Sequence, residues 1–237
     1  YQVLDVLATA TAAVRDAANG QEFIKQAFIK AKIKISMIDG LQEAEYIYTG
    51  AKGAGVLSNS TDLIMDIGGG SVEFMICNQD QIFWKNSYQL GAARLLADFY
   101  QHHERLTKTV IEDIHQLFKS KLSDLFIEIP KYKPSKLIGT AGSFDSFATM
   151  ISFGKPEVYD ANQNRFFNFE KLEIMNLLQS IIHSNHEQRA KMNGLIPLRV
   201  DMILMASVIT QFIINEFNIH QIVTCSYSLK EGLILSS

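Results

Sequence analysis

The chain has 237 residues, 47% of them hydrophobic and 20% charged, with a formal net charge of −3. That balance is the one of a soluble globular protein with a substantial core, arranged as one large domain or two small ones, and it excludes a largely disordered chain. The acidic balance and the lack of a long Lys/Arg stripe argue against a nucleic-acid footprint, and no apolar run reaches the ~20 residues that span a bilayer, because even Met202 to Ile214 is interrupted by Ser207, Thr210 and Gln211.

The first residues, Y-Q-V-L-D-V-L-A-T, carry no initiator Met and no signal-peptide layout, and read like an interior strand of a longer chain. Val3 to Thr9 is the predicted strand, and Ala12, Ala13, Val14 and Ala17 lead into a helix that Asn19-Gly20 stops. Phe23, Ala27, Phe28 and Ala31 form a helical stripe. Ile33 to Ile38 reads as a strand, and Leu41 to Ala51 as an amphipathic helix with Ala44, Ile47, Tyr48 and Ala51 on its apolar side. Gly50 to Ser60, rich in Gly and Ser, is a candidate linker and hinge.

Behind it the pattern turns antiparallel: Leu63 to Asp66, Ser71 to Cys77, a turn at Asn78-Gln79-Asp80, and Ile82 to Leu90. Helices are predicted over Ala92 to Tyr100 and Thr107 to Phe126. A short strand, Lys136 to Gly139, then enters a second small-residue turn, G-T-A-G-S, where another helix begins. Asn168 reads as the N-cap of a helix over Glu170 to Ile182, a long helix covers Met202 to Phe217, and Gln221 to Cys225 is the last strand, turning through S-Y-S-L-K-E-G. Alternating elements of this kind make an α/β protein. Cys77 and Cys225 lie far apart and form no metal-type pair, which predicts reduced, buried thiols and a cytoplasmic protein. His183 and His186 stand three apart at a helix end, and with no partner at ligand spacing they read as a solvated terminus rather than a metal site.

The stretch D-I-G-G-G-S, Asp66 to Ser71, joins strand to strand. Glycine weakens a strand, so three in a row must serve close approach: a backbone without side chains can turn its N–H groups onto an anion such as a phosphate. Asp66 supplies a hard carboxylate for Mg²⁺, and Ser71 a donor for a phosphate oxygen. An ordinary hairpin is the plainer alternative, although a tight hairpin wants two such residues and no preceding Asp. Neither G-x-G-x-x-G before a helix nor G-x-x-x-x-G-K-S/T is present.

Seven segments in order resemble the exopolyphosphatase and guanosine pentaphosphate phosphohydrolase (Ppx/GppA) family, a branch of the sugar kinase, heat-shock chaperone and actin superfamily. They are A-T-A-T-A-A-V-R-D-A-A-N-G (Ala8 to Gly20), Q-E-A-E-Y-I-Y (Gln42 to Tyr48), D-I-G-G-G-S-V-E-F (Asp66 to Phe74), G-A-A-R-L (Gly91 to Leu95), G-T-A-G-S (Gly139 to Ser143), G-L-I-P-L-R-V-D-M-I (Gly194 to Ile203) and S-Y-S-L-K-E-G (Ser226 to Gly232). The resemblance implies a two-domain actin-like ATPase (ribonuclease H-like) fold with mixed sheets flanked by helices. Residues 1–57 would be the carboxyl-terminal part of a first domain that is N-terminally incomplete, and residues 58–237 the second. A further strand hairpin carrying the facing phosphate loop is expected ahead of Tyr1.

It also implies Mg²⁺-dependent release of terminal orthophosphate from inorganic polyphosphate or from guanosine pentaphosphate, the alternative being a catalytically weak sensor that binds nucleotide or polyphosphate. Residue by residue, Glu43 takes the place of the general base. Asp66 and Glu73 are the acidic positions that support water activation or hold the metal. Arg15 stands near the phosphate, Gly68, Gly69, Gly70 and Ser71 form the cradle, and Gly139, Thr140, Ala141, Gly142 and Ser143 form the second loop across the cleft.

Read without the family, Glu43 is a solvated helix carboxylate like Glu45, and Arg15 packs at the core edge or pairs with Asp16. Glu73 lies opposite the apolar set Val72, Phe74 and Ile76, as a plain surface residue also would. Arg94, Arg199 and Lys230 add positive charge or make surface ion pairs. Lys230 replaces a usual arginine and Gln42 a frequent glutamate. A homodimer is left open.

Overall fold

The computed structural model describes residues 5–100 and 105–237. A short parallel pair, β1 (Ala8–Ala10) and β2 (Ile35–Met37), carries α1 (Ala12–Arg15) and α2 (Gly20–Ala31) between its strands. The next helix is α3 (Gly40–Ala54), after which come β3 (Asp62–Ile67), β4 (Val72–Cys77) and β5 (Ile82–Tyr88). Helices α4 (Ala92–Phe99), α5 (Lys108–Lys121) and α6 (Ser123–Tyr132) lead to β6 (Lys136–Thr140) and α7 (Ala141–Ser152). The chain ends through β7 (Phe166–Phe169), α8 (Lys171–Ile182), α9 (His186–Ala190), a 3₁₀ turn (Pro197–Arg199), α10 (Met202–Glu216), β8 (Gln221–Cys225) and α11 (Leu229–Leu235).

Six strands form one mixed sheet in the order β5-β4-β3-β6-β8-β7. The β3–β4–β5 meander is antiparallel, β3, β6 and β8 are parallel, and β7 returns antiparallel at the edge. Each face of the sheet is covered. Residues such as Leu63, Met65, Phe74 and Leu137 point into a large core with Phe118, Phe144 and α10. Their alternates Ile64, Met75, Cys77, Ile138, Val223 and Cys225 pack on Ala44, Ile47 and Ala51 of α3, as the two-residue period of a strand requires. The α/β architecture with a mixed sheet between helical layers is the one expected, and both cysteines are buried and free. Among the described residues no helix is long and apolar enough to cross a membrane.

Several element boundaries differ from expectation for identifiable reasons. Val3 and Leu4 lie outside the described residues, and the first strand pairs only over Ala8–Ala10. The helix expected to reach Asn19 is a single turn. Asn19-Gly20 opens α2 instead of closing α1, because Gly20 abuts the Val14 carbonyl, where a Cβ would collide. The expected helix from Thr107 breaks at Leu122, and α6 is drawn onto β5 by Asp124, which accepts from Asn86 Nδ2 at 2.7 Å and from the Tyr88 hydroxyl.

Asn168 is no N-cap. It sits in the edge strand β7, and Glu170 holds the N-cap position of α8 without a side-chain capping bond. The first part of the expected linker, Gly50 to Ala54, completes α3, and the segment after Ser228 is a helix rather than a turn. Those last two share a cause. A Cβ on Gly50 would strike Ser228 O and one on Gly232 would strike Tyr46 O, so α3 and α11 cross backbone to backbone where glycine stands.

Candidate active site

The sheet register assembles the site. Where the α3-side apolar rows end, each strand substitutes a polar residue two positions on: Ile64 is followed by Asp66, Met75 preceded by Glu73, and Ile138 followed by Thr140. Glu73 pairs with Ser87 and Asp66 on either side, and Asp66 pairs with Thr140, so Ser87, Glu73, Asp66 and Thr140 form one polar row across four strands. Thr140 Oγ1 donates to Asp66 Oδ2, as does Ser228 Oγ at 2.9 Å, and Ser87 Oγ donates to Glu73 Oε1 at 2.6 Å. Glu73 is fully buried, which overturns the plain-surface alternative for it, because α3 covers that face of β4.

Glu43 joins the row from above. Asp39 caps α3 with a capping box to Gln42, and this places Glu43 in the first turn, turned inward and only 9% exposed. Glu45, two residues on, faces solvent and pairs with Lys85. Arg15 Nη1 donates to Ile38 O at 2.8 Å and stands 3.9 Å from Glu43 Oε2, while its Nε is 3.6 Å from Asp16. Arg15 thus pairs with Asp16, as the reading without the family has it, and also stands beside Glu43.

Burial raises the proton affinity of all three carboxylates, and the charge of the others adds to it for Glu43 and Glu73. Burial first, then the Asp66 charge, lifts Glu43 to about 7 against the pull of Arg15. Burial, then Glu43 and Asp66, lifts Glu73 to about 8. Burial raises Asp66 although Thr140 and Ser228 donate to it. Glu43 Oε2 and Glu73 Oε2 are buried with no hydrogen-bond partner. Among the described residues no three His, Cys, Asp or Glu side chains form a metal cage. Mg²⁺ is held by one or two carboxylates plus substrate oxygens, so an orphaned buried oxygen and an excess of negative charge beside an open cleft fit it.

The glycine hairpin lies against this row, in a cleft of about 430 Å³ lined by Glu43, Gly68, Gly69, Gly70, Ser71 and Arg94. Gly68 N donates to Ser71 O, closing the turn. The loop carbonyls are taken by the start of α4: Gly68 O accepts from Ala92 N, Gly69 O from Ala93 and Arg94 N, and Gly70 O from Gly91 N and Arg94 Nε. The N–H groups of Gly69, Gly70 and Ser71 donate to no acceptor among the described residues. They are the spare donors that an anion needs.

The second loop is built differently. Thr140 precedes α7 but caps nothing, its hydroxyl being committed to Asp66, and Ala141 sits at φ +63°, a left-handed conformation costly for a residue with a Cβ. Gly139 leaves room for the Phe144 ring and Gly142 for the Arg199 guanidinium. Arg199, read in the sequence only as added charge, lines both a slot of about 130 Å³ with Gly68, Gly69 and Ser143 and a cavity of about 600 Å³ with Gly142, Asp145 and Ser228.

Among the described residues the Arg199 side chain makes no hydrogen bond and no close ion pair, and its charge bears on Asp145 in the same cavity, opposing the rise that burial gives that carboxyl. Arg94 pairs with Asp16 at 2.8 Å and Lys230 with Glu231, the latter on the exposed surface. Ser228 sits in the quoted S-Y-S-L-K-E-G segment, which could have flagged it. Ser87 has no local signal and emerges only from strand register. His183 is exposed and bonds Gln179 O, and the half-exposed His186 pairs with Asp201 at 2.6 Å.

Comparison with known proteins bears on the family and the fold. A bifunctional 3-dehydroquinate synthase/phosphatase of Fusobacterium nucleatum is 31% identical over 98% of the chain, which spans only 34% of that protein's length. The crystal structure of an exopolyphosphatase from Cytophaga hutchinsonii superimposes with a TM-score of 0.93 at 32% identity, over 99% of this chain and 75% of that one. The Aquifex aeolicus PPX-GPPA enzyme shares the fold, with a TM-score of 0.82 at 21% identity over 100% of this chain and 76% of that one. The family model described as the Ppx/GppA phosphatase family matches residues 1–237 in full, and the chain belongs to that family.

Proposed function

We propose that the cleft hydrolyses a terminal phosphoanhydride, releasing orthophosphate from inorganic polyphosphate and, because the reacting group is the same, from the 5′ end of guanosine pentaphosphate. One observation carries this reading: Glu43, Asp66 and Glu73 converge, buried, beside three unused N–H donors of a glycine hairpin. The exopolyphosphatase description of the Cytophaga hutchinsonii protein supports polyphosphate as the substrate.

Glu43, lifted to about 7, is poised to take the proton of a water attacking the terminal phosphorus. As the new P–O bond forms, the bridging P–O bond breaks and the shortened chain leaves with its negative charge. The N–H groups of Gly69, Gly70 and Ser71 hold the oxygens of the transferred group, where charge is spread in the transition state. Arg15 steadies the Glu43 side of the cleft. Arg199, with a planar fork that makes no hydrogen bond among the described residues, takes the next phosphate along the chain. Asp66 and Glu73 would hold Mg²⁺, which when bound offsets phosphate charge.

The test is orthophosphate release by the full-length protein from long-chain polyphosphate and, separately, from guanosine pentaphosphate, with Mg²⁺ and with Glu43→Gln as the control. We expect release to fall by about 10²–10⁴-fold in the variant while it stays folded. Unchanged release would remove Glu43 as the base, and binding without release in the parent protein would leave a sensor module.

A further inference from the structure

Arg189 has the largest fully buried side chain among the described residues. A guanidinium stays charged at any ordinary pH, and burying it is costly unless its donors are used. The carboxylate that stands beside it among the described residues does not account for it: Asp201 is 3.8 Å away, a third exposed, and shared with His186. The fork is instead spent on neutral acceptors. Nε donates to Val200 O at 2.8 Å, Nη1 to Ser184 O at 2.7 Å and Nη2 to the Tyr100 hydroxyl at 2.9 Å, with the Tyr100 ring 5.2 Å below. The short helix α9 that carries it is itself pinned by a capping box between Asn185 and Gln188.

The acceptor that matters is Val200 O. Val200 follows Arg199 directly, and the 3₁₀ turn they close stands out from the body, with Ile196 and Leu198 exposed. Among the described residues no hydrogen bond aims the Arg199 side chain, and Asp145 acts on it only through charge, so its place over Gly142, between the two glycine loops, rests on the backbone on either side. One of those sides is tied to a buried, rigid fork. We propose that Arg189 is a positioning residue for substrate binding: it fixes the Val200 carbonyl and thereby presents Arg199 to the phosphate chain. This rests on the reading of Arg199 as a phosphate ligand, and the experiment separates the two.

Steady-state hydrolysis of polyphosphate by the full-length protein is compared for the parent, Arg199→Ala, Arg189→Lys and the double variant, each shown to be folded at the assay temperature. Loss of a charged hydrogen bond to substrate should raise KM about tenfold or more in Arg199→Ala, with kcat little changed. Arg189→Lys keeps the charge but loses the fork, and should raise KM in the same way in the parent while adding nothing in the Arg199→Ala background, the signature of two residues acting through one contact. If Arg189→Lys multiplies KM equally in both backgrounds, or lowers kcat alone, positioning is overturned while Arg199 remains a ligand. If Arg199→Ala leaves KM unchanged, Arg199 is no ligand and the positioning role falls with it. Should Arg189→Lys not fold, Tyr100→Phe keeps the guanidinium and removes one of its acceptors, and it is carried through the same cycle with the same criteria.

Discussion

The two glycine turns, Asp66 to Ser71 and Gly139 to Ser143, read almost alike in sequence and are built on opposite principles. In the first, glycine serves backbone against backbone: its carbonyls cap the start of α4, Gly91 presses on Gly69 and Gly70, and Gly70 lies where a Cβ would come 2.8 Å from that of Ala12. What is left over for the cleft is a set of N–H groups. In the second, glycine serves side chains: Gly142 yields its space to Arg199 and Gly139 to Phe144, while Thr140 turns its hydroxyl to Asp66. The first turn thus turns main-chain donors to the cleft, whereas the second is a frame for an arginine and a carboxylate. Glycine content alone does not say which kind of loop a chain has made.

Substitutions that add one methyl group should therefore act differently in the two. The largest effect is expected from Gly91→Ala, whose Cβ would overlap the Gly69 and Gly70 backbone, atoms that cannot rotate away. Overpacking of this kind costs about 1–3 kcal/mol, and the displaced hairpin should lower kcat/KM for polyphosphate about 10²-fold; melting temperature and kinetics together check both. Gly142→Ala meets the movable end of Arg199 instead. It should leave stability nearly intact and raise KM about tenfold, as loss of the arginine contact does. Equal effects on kcat from the two variants would erase the distinction drawn between the turns.

A smaller effect, and a sharper one, comes from pH. With Glu43 lifted to about 7, log kcat/KM should rise with unit slope below that pH and level off above it, since the base must be ionised. A profile flat from pH 5.5 to pH 8.5 would put the base elsewhere.

The sheet strands, the long helix α10 and the first glycine turn were legible because two-residue and 3.6-residue apolar periods are local properties of sequence. Family motifs brought Glu43, Asp66 and Glu73 to notice, but not their burial. Glu73 looked like a surface residue because one strand's alternation shows two faces and cannot say that α3 covers the second. Asn19-Gly20 and Ser226 to Gly232 misled for a related reason. Glycine signals a turn by default, yet Gly20 and Gly232 open or continue helices at points where another segment's backbone lies too close for a Cβ. Ser87 takes its place only through register with a neighbouring strand, and the quoted segments that hold Arg199 and Ser228 do not show that these meet Gly142 and Asp66, 57 and 162 positions away.

The smallest effect expected concerns the row that the two turns share, and it reports on metal without relying on turnover. Glu73 titrates at about 8 when folded and near 4.5 when unfolded. Between those values the folded state holds the extra proton, so the stabilising contribution is complete below pH 4.5, declines as pH rises through the window, and is gone above about 8. This is the reverse of a salt-bridged carboxylate. Glu73→Gln, which cannot ionise, should match the parent near pH 5 and exceed it at pH 8.5. The gain should appear as a rise of a few degrees in Tm at pH 8.5 that is absent near pH 5. A divalent cation changes the sign of the problem, because it favours the ionised carboxylate: Mg²⁺ should raise the Tm of the parent at pH 8.5 and do less for Glu73→Gln. A variant that is less stable than the parent at pH 8.5 without metal would mean that Glu73 is compensated by a positive neighbour, and the crowding of carboxylates inferred at the foot of the cleft would have to be abandoned.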